Sequence, residues 1–108
     1  MTPEERKLET LLAAQLKQDC AESESIGYAP RKFRAMMSES GPAGACVRVI
    51  MSAKIPDGFL TLLELNRLDL TAEATVLRGP WKELFESGVL DRARKRLKDY
   101  GRPDLAAD

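Results

Sequence analysis

Apolar residues recur at spacings of three and four along most of this sequence, which is the period of helices that bury one face. The pattern is clearest at the start, where Thr2 and Pro3 supply a hydroxyl cap and a proline suited to the first helical position. The apolar positions that follow are Leu8, Leu11, Leu12 and Leu16. We therefore predict an amphipathic helix from about Pro3 to Ala21.

Prolines and glycines divide the middle of the chain into shorter segments. Pro30 begins a predicted helix that runs to Ser38, and Pro42 begins the next. Gly41 lies between them, where a residue with left-handed backbone commonly ends a helix. The second of these helices is rich in β-branched residues, so the stretch from Cys46 to Met51 could pair as a strand if the helical interpretation fails.

Three later helices are predicted from residues that can cap an N-terminus, namely Asp57, Thr71 and Ser87. The first of them ends near Asn66, and Gly79-Pro80 separates the second from a short turn containing Trp81. Gly101, followed by a proline two residues later, ends the last.

These segments predict an all-α fold, an irregular bundle of about five to seven short helices around a single core. Residues 1–101 form one helical domain, and residues 102–108 form a flexible C-terminal tail. The first and last helices are expected to pack around residues 59–77. The expected core comprises Leu12, Phe33, Val47, Ile50, Phe59, Leu62, Leu63, Leu70, Leu77, Leu84, Phe85, Leu90 and Leu97.

Composition fits one globular domain, since 44% of the 108 residues are apolar and 31% are charged. The 17 basic and 17 acidic side chains cancel, so no overall field attracts polyanions. Apolar stretches are far shorter than the roughly 20 residues that cross a bilayer, and the first residues are charged where a signal peptide is apolar. We therefore expect a cytoplasmic protein without membrane contact.

Five short motifs give the sequence a recognisable pattern. They are Gly27-Tyr28-x-Pro30-x-x-Phe33-x-x-Met36, Gly58-Phe59-x-x-Leu62, Arg67-Leu68-Asp69-Leu70-Thr71-x-Glu73, Trp81-x-x-Leu84-Phe85 and Ala93-Arg94-x-Arg96-Leu97. In this combination the chain resembles a group of small bacterial proteins without an assigned activity. The resemblance covers about three quarters of the chain and implies a coherent domain. It implies no catalytic residue, cofactor or ligand.

The chemistry that the residues can support is restricted. There is no histidine, which removes the commonest general base and most zinc sites, and no phosphate-binding or dinucleotide-binding glycine motif occurs. We therefore predict no catalytic residue, metal or cofactor. Cys20 and Cys46 are expected to be reduced, buried thiols rather than a disulfide. An enzyme would instead need two carboxylates in one pocket, drawn from Asp57, Glu64, Asp69 and Glu73.

Basic residues crowd on the last predicted helix. They are Arg92, Arg94, Lys95, Arg96 and Lys98. Such a cluster could contact the phosphates of a nucleic acid or an acidic partner, and three of its members share one side of the helix. The alternative is a solvated helix face, favoured by the helix dipole near a C-terminus.

Aromatic and methionine side chains form a second candidate site, a hydrophobic surface for a partner protein. Its members are Tyr28, Phe33, Met36, Met37 and Trp81. Side chains of these types dominate binding hot spots, although a domain with few aromatic residues also needs them in its core. We therefore predict a non-catalytic protein-interaction or adaptor domain, whose partner could be a second copy bound through the leucines of the first helix. The alternative is an accessory nucleic-acid-binding protein that uses the basic last helix.

Overall fold

The computed structural model describes residues 1–107, and Asp108 lies outside the described residues. This part of the chain contains five α-helices and no strand. The helices are α1 (Pro3–Ser25), α2 (Arg31–Ile50), α3 (Asp57–Glu64), α4 (Ala72–Leu77) and α5 (Ser87–Asp99). Two 3₁₀ turns, Leu68–Leu70 and Pro80–Leu84, connect α3 to α4 and α4 to α5. The all-α prediction is confirmed.

Helix α1 begins as the sequence predicts and ends later. The Thr2 hydroxyl oxygen accepts the backbone N–H of Glu5, whose carboxylate accepts the N–H of Thr2, so the two residues form a capping box. The helix continues to Ser25, four residues beyond the predicted end at Ala21. The polar run does not stop it because Ser23 is buried and its hydroxyl donates to the Asp19 carbonyl.

Helix α2 contains both predicted middle helices, joined through a kink. Gly41 has φ 76° and ψ 173°, a backbone conformation almost restricted to glycine, and Pro42 follows it. The predicted break at Gly41 is therefore confirmed as a change of direction within one element. The stretch from Cys46 to Ile50 is helical, and the strand alternative is wrong.

Of the three caps predicted for the later helices, the structure confirms one. Thr71 caps α4, since its hydroxyl oxygen accepts the N–H of Ala74 and donates to the Leu68 carbonyl. Asp57 and Ser87 are instead the first helical residues of α3 and α5. The residues before them, Pro56 and Glu86, occupy the cap positions without a side-chain hydrogen bond. The capping prediction is therefore wrong for Asp57 and Ser87.

Helix α4 lies at the centre of the domain. Five of its six residues are buried, and it packs against α5, α2 and α1. The predicted arrangement of the first and last helices around this part of the chain therefore agrees with the structure. Eight predicted core residues are buried, namely Leu12, Ile50, Phe59, Leu62, Leu70, Leu77, Phe85 and Leu97. The other five are half-buried, namely Phe33, Val47, Leu63, Leu84 and Leu90.

The C-terminal segment packs onto this core where a tail was predicted. Residues 103–106 form a turn, Ala106 is 4% exposed, and Leu105 contacts the same apolar cluster. The leucine face of α1 is also used inside the domain, because Leu12 and Leu16 are buried and Leu11 alone of its predicted apolar positions is exposed. Among the described residues, no helix has the length and apolar character needed to span a membrane.

Candidate functional site

A cleft of about 600 Å³ opens between α1, α2, α3 and the start of α4. Pockets of this size commonly hold small ligands or the anchoring side chains of a partner. The large apolar side chains that line it include Tyr28, Phe33, Met36, Ile55, Phe59 and Leu62. Three predicted members of the hydrophobic partner surface, Tyr28, Phe33 and Met36, are thus brought together with residues assigned only to the core.

The loop between α1 and α2 places Tyr28 against the first turn of α3. Gly27 turns the chain with φ 102°, and the Tyr28 N–H donates to the Ser23 carbonyl at 2.9 Å. The Tyr28 hydroxyl lies against Gly58, where a Cβ atom would overlap it, so only glycine allows this approach. Burial raises the pKa of the Tyr28 hydroxyl, which therefore stays protonated as a hydrogen-bond donor at neutral pH.

Asp19 is a buried carboxylate on the wall of the cleft, and the protein satisfies it completely. It accepts from the Thr75 hydroxyl at 2.6 Å, from Arg78 at 2.9 Å and from Gln15 at 2.9 Å. These partners come from α1, α4 and the end of α4. Because its oxygens are already occupied, Asp19 joins elements of the fold instead of presenting a free base to the cleft.

Glu73 is the second buried carboxylate on the cleft wall. Its carboxylate accepts from Arg96 of α5 at 2.9 Å, and both side chains are almost fully buried. Burial raises the pKa of Glu73, and the hydrogen bond from Arg96 works in the opposite direction. Asp69 is likewise bound by Arg67, which lowers the pKa of Asp69. These two carboxylates therefore hold separate ion pairs and do not form an acid–base pair with each other.

Neither cysteine is bridged, as predicted, and both are buried. Cys20 lines the cleft, but burial raises the pKa of its thiol and so disfavours the nucleophilic thiolate. Burial raises the pKa of the Cys46 thiol still further. In the part of the chain that the structure describes, no group of three or more acidic or cysteine side chains is arranged to hold a metal ion.

The predicted basic cluster of α5 is not one exposed surface. Arg96 is 5% exposed and donates to Glu73 and to the backbone carbonyls of Val49 and Ser52. Arg92 is half-buried and donates to the same Ser52 carbonyl at 2.9 Å. Of the remaining members, Arg94 is half-buried and pairs with Asp91, whereas Lys95 and Lys98 are exposed, and Lys95 pairs with Asp99. The prediction that Arg96 joins Arg92 and Lys95 in an external contact is therefore wrong.

The predicted hydrophobic surface is also divided. Trp81 is 6% exposed, and its indole N–H donates to the Thr75 carbonyl at 2.8 Å, so it is a core residue and the surface prediction is wrong for it. Met37 is half-buried against the core outside the cleft lining. Sequence reasoning missed the loop before α3, including Ile55 and Pro56, because no periodic signal connects that loop to Tyr28.

No family model, curated protein or solved structure matches this chain. The similarity to a group of small bacterial proteins therefore stays an expectation. Residues of three of its five motifs line the cleft, namely Tyr28, Pro30, Phe33, Met36, Gly58, Phe59, Leu62, Leu70, Thr71 and Glu73.

Proposed function

We propose that the protein is a non-catalytic protein-interaction domain that receives apolar side chains of a partner in the cleft. The observation that carries this proposal is the convergence of Tyr28, Phe33 and Met36 with Phe59 and Leu62 around one open cavity. Aromatic and methionine side chains supply large contact areas, and methionine adapts its shape to the side chain it meets. Such a lining favours recognition of an apolar anchor.

The buried carboxylates and the cysteine of the cleft support a binding role over catalysis. Asp19 and Glu73 are each neutralised by an arginine, and the Cys20 thiol is held in its protonated form. General acid–base catalysis needs a group that is free to exchange a proton with substrate. The two free thiols suit a reducing compartment, so we propose the cytoplasm as the place where the partner is met.

Contact with nucleic acid through α5 is the weaker alternative. Its cations divide between buried hydrogen bonds, local ion pairs and the exposed Lys98. Binding to phosphates depends on several cations that are free to displace counterions together. A partner held in the apolar cleft needs no such surface.

Site-specific photocrosslinking tests the proposal in cells that make the protein. A benzophenone amino acid replaces Met36 in the cleft, and a matched variant carries it at Leu11, which is 45% exposed on α1 and outside the cleft. We expect discrete crosslinked protein bands from the Met36 position that are absent from the Leu11 position. Identical bands from both positions, or none from Met36, would contradict the proposal.

Binding of the crosslinked partner to purified protein gives the second measurement. Met36→Glu places a charge in the apolar cleft and should weaken binding about tenfold or more, whereas Leu11→Glu should leave it unchanged. Circular dichroism of both variants checks that each is folded. Equal affinity of the two variants would show that the partner binds elsewhere.

A further inference from the structure

The charges that face the cleft are unevenly distributed, although the chain as a whole is neutral. Four cations line it, Arg31, Lys32, Arg48 and Lys54, and all are exposed. The lining carboxylates are Asp19, Asp57 and Glu73, of which only Asp57 is exposed. Because Arg78 and Arg96 neutralise the two buried ones, the exposed charge at the mouth of the cleft is predominantly positive.

Three of these cations are available to a partner. Within residues 1–107, Arg31, Lys32 and Lys54 make no ion pair, whereas Arg48 lies 3.7 Å from Glu39. Arg31 and Lys32 belong to the first turn of α2, and Lys54 to the loop that follows this helix. The apolar lining therefore has cations supplied by two separate stretches of the chain.

This arrangement matches a peptide better than a compact anion or a nucleic acid. A single phosphate or carboxylate is bound tightly where donors from several residues converge on its oxygens. A single-stranded nucleic acid stacks its bases on aromatic side chains along a continuous basic groove, whereas this cleft mixes its aromatic residues with aliphatic and methionine side chains and carries an exposed carboxylate, Asp57. A peptide offers apolar side chains and several separate carboxylates in one molecule.

We infer that the cleft binds an acidic amphipathic segment of a partner protein, with apolar side chains inside and carboxylates paired to Arg31, Lys32 and Lys54. This inference rests on the proposed function, because it names the chemistry of the partner that the same cleft receives. Charge complementarity at an exposed rim contributes to association rate and to the choice of partner. The apolar anchors supply the affinity.

Selection from a random peptide library against the purified protein tests the inference. We expect the selected peptides to carry aspartate or glutamate beside apolar anchors and to lose binding to the Met36→Glu variant. A rim variant, Arg31→Glu with Lys32→Glu and Lys54→Glu, should select basic residues beside similar anchors. For a peptide selected on the unmodified protein, the rim variant should weaken binding about tenfold, and added salt should reduce that difference.

A matched variant controls for net charge. Lys7→Glu with Lys17→Glu and Lys98→Glu changes the charge equally at exposed positions outside the cleft. It should bind the same peptide with unchanged affinity, and equal weakening by both triple variants would overturn the inference.

The remaining outcomes separate the inference from the proposed function. Peptides that depend on Met36 but show no acidic preference would overturn the inference and leave the proposed function standing. Failure to select any peptide that depends on Met36 would count against both. Oleate and a single-stranded RNA are then tested directly, and binding of either that depends on Arg31, Lys32 and Lys54 would replace the peptide as occupant.

Discussion

The side chain of Arg96 joins three parts of the domain from a buried position on α5. Its guanidinium donates to the Glu73 carboxylate of α4 at 2.9 Å, to the Val49 carbonyl at 2.7 Å and to the Ser52 carbonyl at 2.6 Å. Arginine stays protonated inside proteins, so its buried guanidinium needs hydrogen-bond acceptors such as these three. Glu73 also lines the cleft, which makes this ion pair part of its wall.

Replacing Arg96 with methionine tests this structural role. Arg96→Met leaves Glu73 buried without a cation and removes one donor each from the Val49 and Ser52 carbonyls, so we expect a loss of about 3 kcal/mol in the free energy of unfolding. Urea denaturation measures it. Lys95→Met breaks the exposed pair with Asp99 and should change stability by less than about 0.5 kcal/mol. Similar losses in both variants would contradict the role of Arg96.

The loss should also depend on pH. Burial holds the pKa of Glu73 above the value of 4.5 for an exposed glutamate, so the folded state holds this proton more tightly than the unfolded chain does. The stability that protonated Glu73 contributes is therefore complete below the pKa of an exposed glutamate and is lost as pH rises through the folded pKa. Arg96 opposes the rise in the pKa of Glu73, so its removal enlarges the stability that is lost as pH rises. Arg96→Met should therefore be more destabilising at about pH 7.5 than at about pH 5. A second substitution, Glu73→Gln, should remove the extra pH dependence.

The buried position of Arg96 was in part readable from the sequence. Val89, Ala93 and Leu97 follow the helical period and are all buried, and Arg96 lies three residues after Ala93 on the same face. The neighbouring cations instead predict an exposed surface that contacts phosphates. The acceptors that make burial tolerable, Val49 and Ser52, are more than forty residues earlier in the chain, and no local pattern connects them to Arg96.

At the scale of elements, the kink in α2 allows one helix to serve both the cleft and the core. The part before Gly41 places Phe33 and Met36 on the cleft, and the part after it buries Cys46 and Ile50. Gly41 supplies the positive φ that the change of direction requires. The orientation of the cleft-lining helix therefore depends on the backbone of this residue.

An alanine substitution at Gly41 tests this dependence. We expect Gly41→Ala to lower the free energy of unfolding by about 2 kcal/mol, because its φ and ψ lie where residues with a Cβ atom are strained. Gly88 is the matched control, since it lies in the first turn of α5 and has open space where a Cβ would be. Gly88→Ala should stabilise the protein by about 0.5 kcal/mol. Thermal and urea unfolding compare the two, and a loss at Gly88 equal to that at Gly41 would refute the conformational explanation.

Element boundaries show where sequence reasoning was sufficient. Thr2 and Thr71 were identified correctly because each hydroxyl precedes a helix whose backbone donors lie within reach. Asp57 and Ser87 were misplaced by one residue, since their helices begin after residues that make no side-chain cap. A capping side chain is a local signal, and a sequence pattern places the first helical residue only to within one or two positions.

At the scale of the molecule, the helical period predicted the fold class and most of the core but not the cleft. Its lining comes from α1, from Tyr28 to Met36, from Arg48 to Leu62 and from Leu70 to Glu73, which are separate in sequence. Tyr28, Phe33 and Met36 were predicted as a surface from their side-chain types alone. Phe59 and Leu62 could not be assigned to the same site, because only the tertiary packing of α3, against the 3₁₀ turn Leu68–Leu70 and beside Tyr28, brings them there.

The C-terminal segment is part of this packing, which gives the domain boundary a direct test. Ala106 is 4% exposed and Leu105 contacts the core, so a chain that ends at Gly101 loses apolar burial that we expect to be worth about 1.5 kcal/mol. Urea unfolding followed by fluorescence of Trp81, the only tryptophan, measures the change. A chain that ends at Ala106 keeps these contacts and should unfold at the same urea concentration as the full chain. If the chain ending at Gly101 unfolds at that urea concentration too, the segment behaves as a flexible tail and contributes nothing to the core. Burial of Ala106 and Leu105 cannot stabilise the fold without raising the urea concentration at the midpoint of unfolding.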